Sequence, residues 1–241
     1  MTVTTPVAFV AGATGYTGRS VIEELRRRGV AAVAHVRPDS PRLRHWRERL
    51  ESLGAVVDTT PWDEDALAAA LARIAPTVVF ALLGTTRRRM RRTHGDSYAT
   101  VDYGLTAMLL RAVGRAVPSA RFVYLSAIGV SRHARGEYLR ARWQLEQELR
   151  ASGVEWLIAR PAFISGPDRD DTRPLERIAA VAIDGVLRLA AALGASGLRA
   201  RYASLDAHTL ARGLVQHALE PASGRHVLWP EELRRARAAD R

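Results

Sequence analysis

Val7-Ala8-Phe9-Val10-Ala11-Gly12-Ala13-Thr14-Gly15-Tyr16-Thr17-Gly18-Arg19-Ser20 passes from an uncharged apolar run through three glycines spaced by three into a new periodicity. Pro6 to Ala11 reads as a strand buried on both faces, the pattern of a central parallel strand. Over residues 17 to 28, Val21, Ile22 and Leu25 share one face while Glu23, Glu24, Arg26, Arg27 and Arg28 lie largely elsewhere, which is a helical period. Gly12, Gly15 and Gly18 therefore occupy a strand-to-helix turn. The three are expected to serve separate ends, namely a backbone angle closed to side chains, close approach of backbone to a ligand, and tight packing of helix on strand. The N–H groups that open the helix would face a diphosphate, so the pattern in this context points to a dinucleotide site.

The chain of 241 residues can bury one substantial core. It contains no cysteine, which excludes disulfides and thiolate metal sites. No basic leader and no membrane-length apolar stretch is visible, and a cytosolic protein without a membrane segment is expected. The formal charge of +11 would ordinarily suggest nucleic acid. There is no lysine and no asparagine, however, and arginine fills the ordinary surface roles of lysine; a nucleic-acid partner is not expected, and the oligomeric state is left open.

Strands are expected at Ala31 to Val36, Ala55 to Thr59, Thr77 to Leu83, Arg121 to Ile128 and Trp156 to Ile164. Helices are expected at 41 to 53, 64 to 74 capped by Asp63, Tyr98 to Val117 and Glu137 to Ala151. Alternating strand and helix specify an α/β fold, a doubly wound parallel sheet of the Rossmann type. Residues 1–164 form the dinucleotide-binding part, and 165–241 a small C-terminal substrate-binding extension packed on it as a single unit. That extension holds helices at 175–193 and 206–219, a last strand at Gly224 to Trp229 and a basic, frayed tail from 231. Trp46 reads as core. At the end of the second strand, where an acid would hold ribose hydroxyls, stands Arg37, about twenty positions after Gly18, and a cation there accepts a 2′-phosphate. NADP(H) is thus favoured over NAD(H), with Arg19 as a candidate second cation. The run Arg87-Arg88-Arg89-Met90-Arg91-Arg92 reads as an exposed loop or an anion-binding lip.

Ser126 ends the fifth strand, and Tyr138 and Arg142, four apart, share a helix face. A tyrosine beside a cation can work as a general acid or base near neutral pH. Ser126 would orient a carbonyl or alcohol.

These residues resemble a known family. Gly12-Ala-Thr-Gly15-Tyr-Thr-Gly18, Leu83-Gly84-Thr85-Thr86-Arg87, Leu125-Ser126-Ala127-Ile128-Gly129, Tyr138-x-x-x-Arg142 and Arg160-Pro161 are together similar to the atypical short-chain dehydrogenase/reductases, over about residues 6 to 220. The resemblance implies a cofactor site made by Gly12, Thr14, Gly15, Tyr16, Thr17, Gly18, Arg37, Leu83, Gly84, Thr85, Arg142 and Pro161, and a catalytic set of Ser126, Tyr138 and Arg142, with no metal. Two departures stand out. Arg142 occupies the place of the family's lysine, keeping the charge but not the ability to relay a proton; and Ala127 follows Ser126 where many relatives carry a second hydroxyl.

The leading expectation is an NADPH-dependent oxidoreductase for a small carbonyl or hydroxyl compound. The alternative is a non-catalytic NADPH-binding sensor. Epimerase or dehydratase chemistry on a nucleotide sugar is a third option, against which the short region after residue 165 argues.

Overall fold

Val7–Ala11 forms β1, and its alternation divides the core, with Ala8 and Val10 joining one apolar layer and Phe9 and Ala11 the other. The computed structural model describes residues 6–84, 97–162, 164–165, 205–220 and 224–236. Expectations for Thr85, the Arg87 to Arg92 run, the 166–174 loop and the 175–193 helix lie outside the described residues. After β1 come α1 (Tyr16–Arg27), β2 (Ala31–His35), α2 (Leu43–Ser52), β3 (Val56–Asp58), α3 (Glu64–Ile74) and β4 (Val78–Ala81). Helix α4 begins with a π-helical turn over Tyr98–Leu105 and continues as an α-helix over Thr106–Ala116. Then follow β5 (Arg121–Leu125), α5 (Glu137–Ala151), β6 (Trp156–Ala159), β7 (Ile164–Ser165), β8 (Leu205–Asp206), α6 (Ala207–Leu219), β9 (His226–Leu228) and α7 (Pro230–Arg235).

Seven strands make one parallel sheet in the order β3-β2-β1-β4-β5-β6-β9, and β7 pairs with β8 apart from it. The order reverses between β1 and β4, where the chain leaves the sheet in opposite directions and opens a crevice at the carboxyl ends. Helices α1, α2 and α6 cover one face and α3, α4 and α5 the other. Because successive strand residues point to opposite faces, both layers draw on the same strands: Val123 and Leu125 serve the first, Phe122 and Tyr124 the second. Such strands carry no polar face, which is why the sequence shows them as continuous apolar runs.

Local signals set the helix ends. Asp63 accepts from the Ala66 N–H at 2.9 Å, and Ser97 and Thr100 form a reciprocal capping box at the start of α4. Several bounds differ from expectation, β4 for one ending at Ala81 rather than Leu83. β5 ends at Leu125 rather than Ile128, in a bend that turns at Gly129 (φ +85°). β6 ends at Ala159, before Arg160-Pro161, because proline cannot donate to a ladder. The supposedly frayed tail contains α7, with Pro230 in its first turn, the Trp229 N–H bonded to Glu232 at 2.9 Å, and Leu233 fully buried against the core.

Arg121, at the start of β5, ties the C-terminal segment to the sheet. Its Nη1 donates to the carbonyls of Ala218 at 2.8 Å and Glu220 at 2.6 Å, at the carboxyl end of α6, and Nη2 reaches Glu155 at 3.2 Å. Arg121→Ala leaves buried carbonyls unsatisfied and is expected to cost about 2–4 kcal/mol in urea unfolding. A loss below about 0.5 kcal/mol, the size of an ordinary surface substitution, would show that α6 does not depend on this cap.

Candidate functional site

At the end of β1 the backbone turns at Gly12 with φ +86°, and a Cβ there would lie 2.6 Å from the Leu82 carbonyl oxygen just beyond β4. A Cβ on Gly18 would overlap the Gly12 carbonyl, so the first turn of α1 lies directly against the loop that feeds it. Gly15 precedes the helix in an extended conformation; no side chain caps α1, and no acidic residue stands in its first turn. An uncapped helix start at the switch point of a parallel sheet is an anion site by geometry and by dipole.

A cleft of about 1060 Å³ runs from this turn to α5, at the upper end of the roughly 300–1,000 Å³ of small-molecule sites. Thr14, Tyr16, Thr17, Leu83 and Gly84 line it together with the three glycines. The residues present fit a dinucleotide: an uncapped helix start sits between two lobes, each with its own polar groups.

In the lobe beyond β2, Arg37 lines the cleft with Asp39, its ion-pair partner at 3.5 Å. Arg19 donates to the Thr14 carbonyl at 3.1 Å and lies 5.8 Å from the centre of the Trp46 ring, with Arg42 at 5.1 Å from the same ring. Trp46, read from the sequence as core, is half-buried and lines the cleft as well. Its amphipathic helix brings it to the mouth, where arginines hold it in cation–π contact. His35, the last residue of β2, is buried beneath Trp62 and hydrogen bonds through Nε2 with the Thr60 carbonyl at 2.8 Å. Burial holds its pKa below the ordinary 6.5, only partly offset by the Thr60 carbonyl and Asp58. The neutral ring therefore donates from Nε2.

In the other lobe Tyr138 and Arg142 share a face of α5, and the guanidinium carbon lies 4.7 Å from the Tyr138 ring centre. Tyr98 closes on the same ring edge-on at 5.3 Å. Arg142 is only 5% exposed. It donates to Asp102 Oδ1 at 2.9 Å, to the Tyr124 hydroxyl at 3.3 Å and to the Leu125 carbonyl. Burial alone would lower its pKa; Tyr138, Tyr124 and Asp102 more than offset that, and the net direction is upward. Burial pushes the Tyr124 hydroxyl up, so it remains protonated.

Ser126 lines the cleft but donates its proton to Glu146 Oε1 at 2.7 Å. Glu146 is fully buried on α5 and accepts from Arg160 on both oxygens, at 3.0 and 2.5 Å. The hydroxyl thus shows the cleft a lone pair. Pro161 is not in the cleft wall: it is buried, and its carbonyl accepts from the Ile128 N–H at 2.9 Å. Sequence reasoning missed Asp102, Glu146, Tyr98, Asp39 and His35. The i,i+4 spacing of Arg142 and Glu146 was the available signal for one of them. Among the described residues no group of three or more His, Asp or Glu side chains could hold a metal ion, and no helix is long and apolar enough to cross a membrane.

A glycine turn at the switch point of a parallel sheet, opening into a two-lobed cleft, defines a dinucleotide-binding Rossmann protein. The chain belongs to the NAD(P)H-binding family, whose model matches residues 12–183. It is 29% identical to the mitochondrial protein fmp52-1 of Aspergillus terreus over 88% of this chain and 87% of that one. It is 28% identical to the mitochondrial NADH dehydrogenase [ubiquinone] 1 alpha subcomplex subunit 9 of Arabidopsis thaliana over 67% of this chain and 39% of that one. The Thermus thermophilus UDP-glucose 4-epimerase, solved with NAD, has the same fold at a TM-score of 0.63 and 16% identity, over 95% of this chain and 81% of that one. The chain thus stands with the atypical short-chain dehydrogenase/reductases. The expectation of a cytosolic protein is corrected, since the sequence relatives are named as mitochondrial proteins.

The depressed pKa of His35 has a consequence for stability. The unfolded chain binds this proton near pH 6.5 and the folded protein only at lower pH, so the stabilisation is complete above 6.5 and is lost as pH falls through the folded value. His35→Gln is expected to flatten the fall in urea midpoint between about pH 6.5 and 5; an unchanged slope would remove His35 as its source.

Proposed function

We propose that the protein is an NADP(H)-dependent oxidoreductase of the atypical short-chain dehydrogenase/reductase type, acting on a small carbonyl or hydroxyl compound. The observation that carries this reading is a single cleft that contains both the uncapped start of α1 and Tyr138 backed by a buried cation. Bound there, a nicotinamide supplies or accepts the hydride. Tyr138 exchanges the proton with the substrate oxygen, the one phenol of α5 that faces the cleft. Arg142 stays charged and cannot relay that proton. Ser126, its proton engaged by Glu146, accepts a hydrogen bond from a substrate hydroxyl or amide rather than polarising a carbonyl.

Preference for the phosphorylated cofactor rests on Arg37, Arg19 and Arg42 around the lobe beyond β2. A 2′-phosphate would displace Asp39 from Arg37, an exposed pair worth little. Trp46 and Trp62 line the same lobe, so fluorescence quenching reads binding directly. Arg37→Asp is expected to weaken NADPH by about tenfold or more, the worth of one charge-assisted contact, and NADH much less. Equal losses for both would take Arg37 out of the site.

A second reading, a protein that binds NADPH without turnover, is favoured by the commitment of Arg142 to Asp102 and of Ser126 to Glu146. Loss of NADPH absorbance across a panel of aldehydes and ketones separates the two readings. In the enzyme, Tyr138→Phe is expected to reduce kcat by about 10² to 10⁴; full activity in that variant would exclude Tyr138 as the proton carrier.

A further inference from the structure

Asp102 lies on the π-helical turn that opens α4, 1% exposed, with a carboxylate paired to a guanidinium that is itself buried. Extra turns of this kind interrupt a helix at some cost and recur at functional sites. The same turn carries Tyr98, edge-on to Tyr138. Arg142 is gripped through both terminal nitrogens: Nη2 by Asp102, and Nη1 by the Leu125 carbonyl at the end of β5 and by the Tyr124 hydroxyl. Held so, its guanidinium carbon lies over the Tyr138 ring, 4.7 Å from the centre. The pair also underlies the loop that leaves β4. A Cβ placed on Gly84 would sit 3.4 Å from Arg142 Nη2 and 3.6 Å from Asp102 Oδ1. Tyr138 is thereby packed between a clamped cation and Tyr98, at the end of the cleft where Leu125, Ser126 and Gly84 also meet it.

We infer that Asp102 is a positioning residue for this lobe, acting through Arg142: its carboxylate fixes the guanidinium that sets the orientation of Tyr138. An arginine in place of a lysine has a long, rotatable stem and a planar head whose direction must be set by bidentate or two-point contacts. Asp102 and the Leu125 carbonyl supply those two points. Without the carboxylate Nη2 loses its anchor, the head is held at Nη1 alone by the Leu125 carbonyl and the Tyr124 hydroxyl, and the surface against which Tyr138 rests turns with it. The inference rests on Tyr138 being the working phenol of the proposed function, but its geometry can be read without any cofactor.

The test uses protein labelled with 3-fluorotyrosine, in which Tyr138 is assigned among the six tyrosines by Tyr138→Phe. ¹⁹F spectra are taken on the cofactor-free protein. In Asp102→Asn the Tyr138 and Tyr98 resonances are expected to move by more than their linewidths while the remote tyrosines stay in place. Arg142→Gln should shift Tyr138 too, and the double variant no further than Arg142→Gln alone. A Tyr138 resonance unmoved in Asp102→Asn, or shifts that add in the double variant, would overturn the inference and leave Asp102 a stabilising residue only. Asp102→Glu serves if the asparagine variant does not fold. It keeps the charge and moves the carboxylate by one methylene, so Tyr138 must again move, and an unmoved resonance again overturns the inference. NADPH quenching is measured separately, so a failure of cofactor binding leaves the ¹⁹F result readable.

Discussion

The contact on which the rest depends is the one between the first turn of α1 and the backbone that leaves β1. Gly12 lies against the Leu82 carbonyl and Gly18 against Gly12 itself, distances that no side chain permits. Two consequences follow from that closeness. Helix α1 is fixed with its uncapped end over the switch point, and its body packs on α6, which completes the same layer that α1 begins. The anion-binding end of the cleft and the seating of α6 in this layer therefore share one geometric cause.

The opposite lobe is held by charge instead of by close backbone. Helix α5 contributes Arg142 and Glu146, one turn apart, and each is matched to a partner from elsewhere: Asp102 from α4 and Arg160 from the end of β6. Buried charges are tolerable only when paired in good geometry, and removing one partner strands the other. The two pairs pin α5 against α4 and the end of β6 and leave Tyr138 lining the cleft. They also use up groups that sequence alone would assign to ligand. Ser126 gives its proton to Glu146, and Arg142 gives two of its nitrogens to Asp102, Tyr124 and Leu125. Tyr138 is then the group left to carry the proton in the proposed oxidoreductase.

Most of the fold was legible in the sequence because parallel strands covered on both faces read as apolar runs, and the helices between them as amphipathic stretches. Asp63 announced a helix start correctly for the same local reason. What failed were stretches where local preference is weak. The end of β5 and the short helix at Pro230–Arg235 depend on contacts with distant segments, while Trp46 packs against the core as expected and lines the cleft as well. The expected cytosolic location failed differently, since the absence of a visible leader is not a positive physical signal.

By itself the sequence determined that a glycine turn joins an apolar strand to a helix, that Tyr138 and Arg142 share a face, and that Arg37 follows the second strand. These are facts of spacing, and spacing along a helix or strand is fixed by its period. Only the tertiary structure decided which side chains those groups would meet. Asp102 lies forty positions before Arg142 and Glu146 twenty after Ser126, separations at which no local rule places one residue beside another. Whether a buried cation faces a ligand or a carboxylate is settled by the packing of α4 and α5 on the sheet, and here the packing chose the carboxylate.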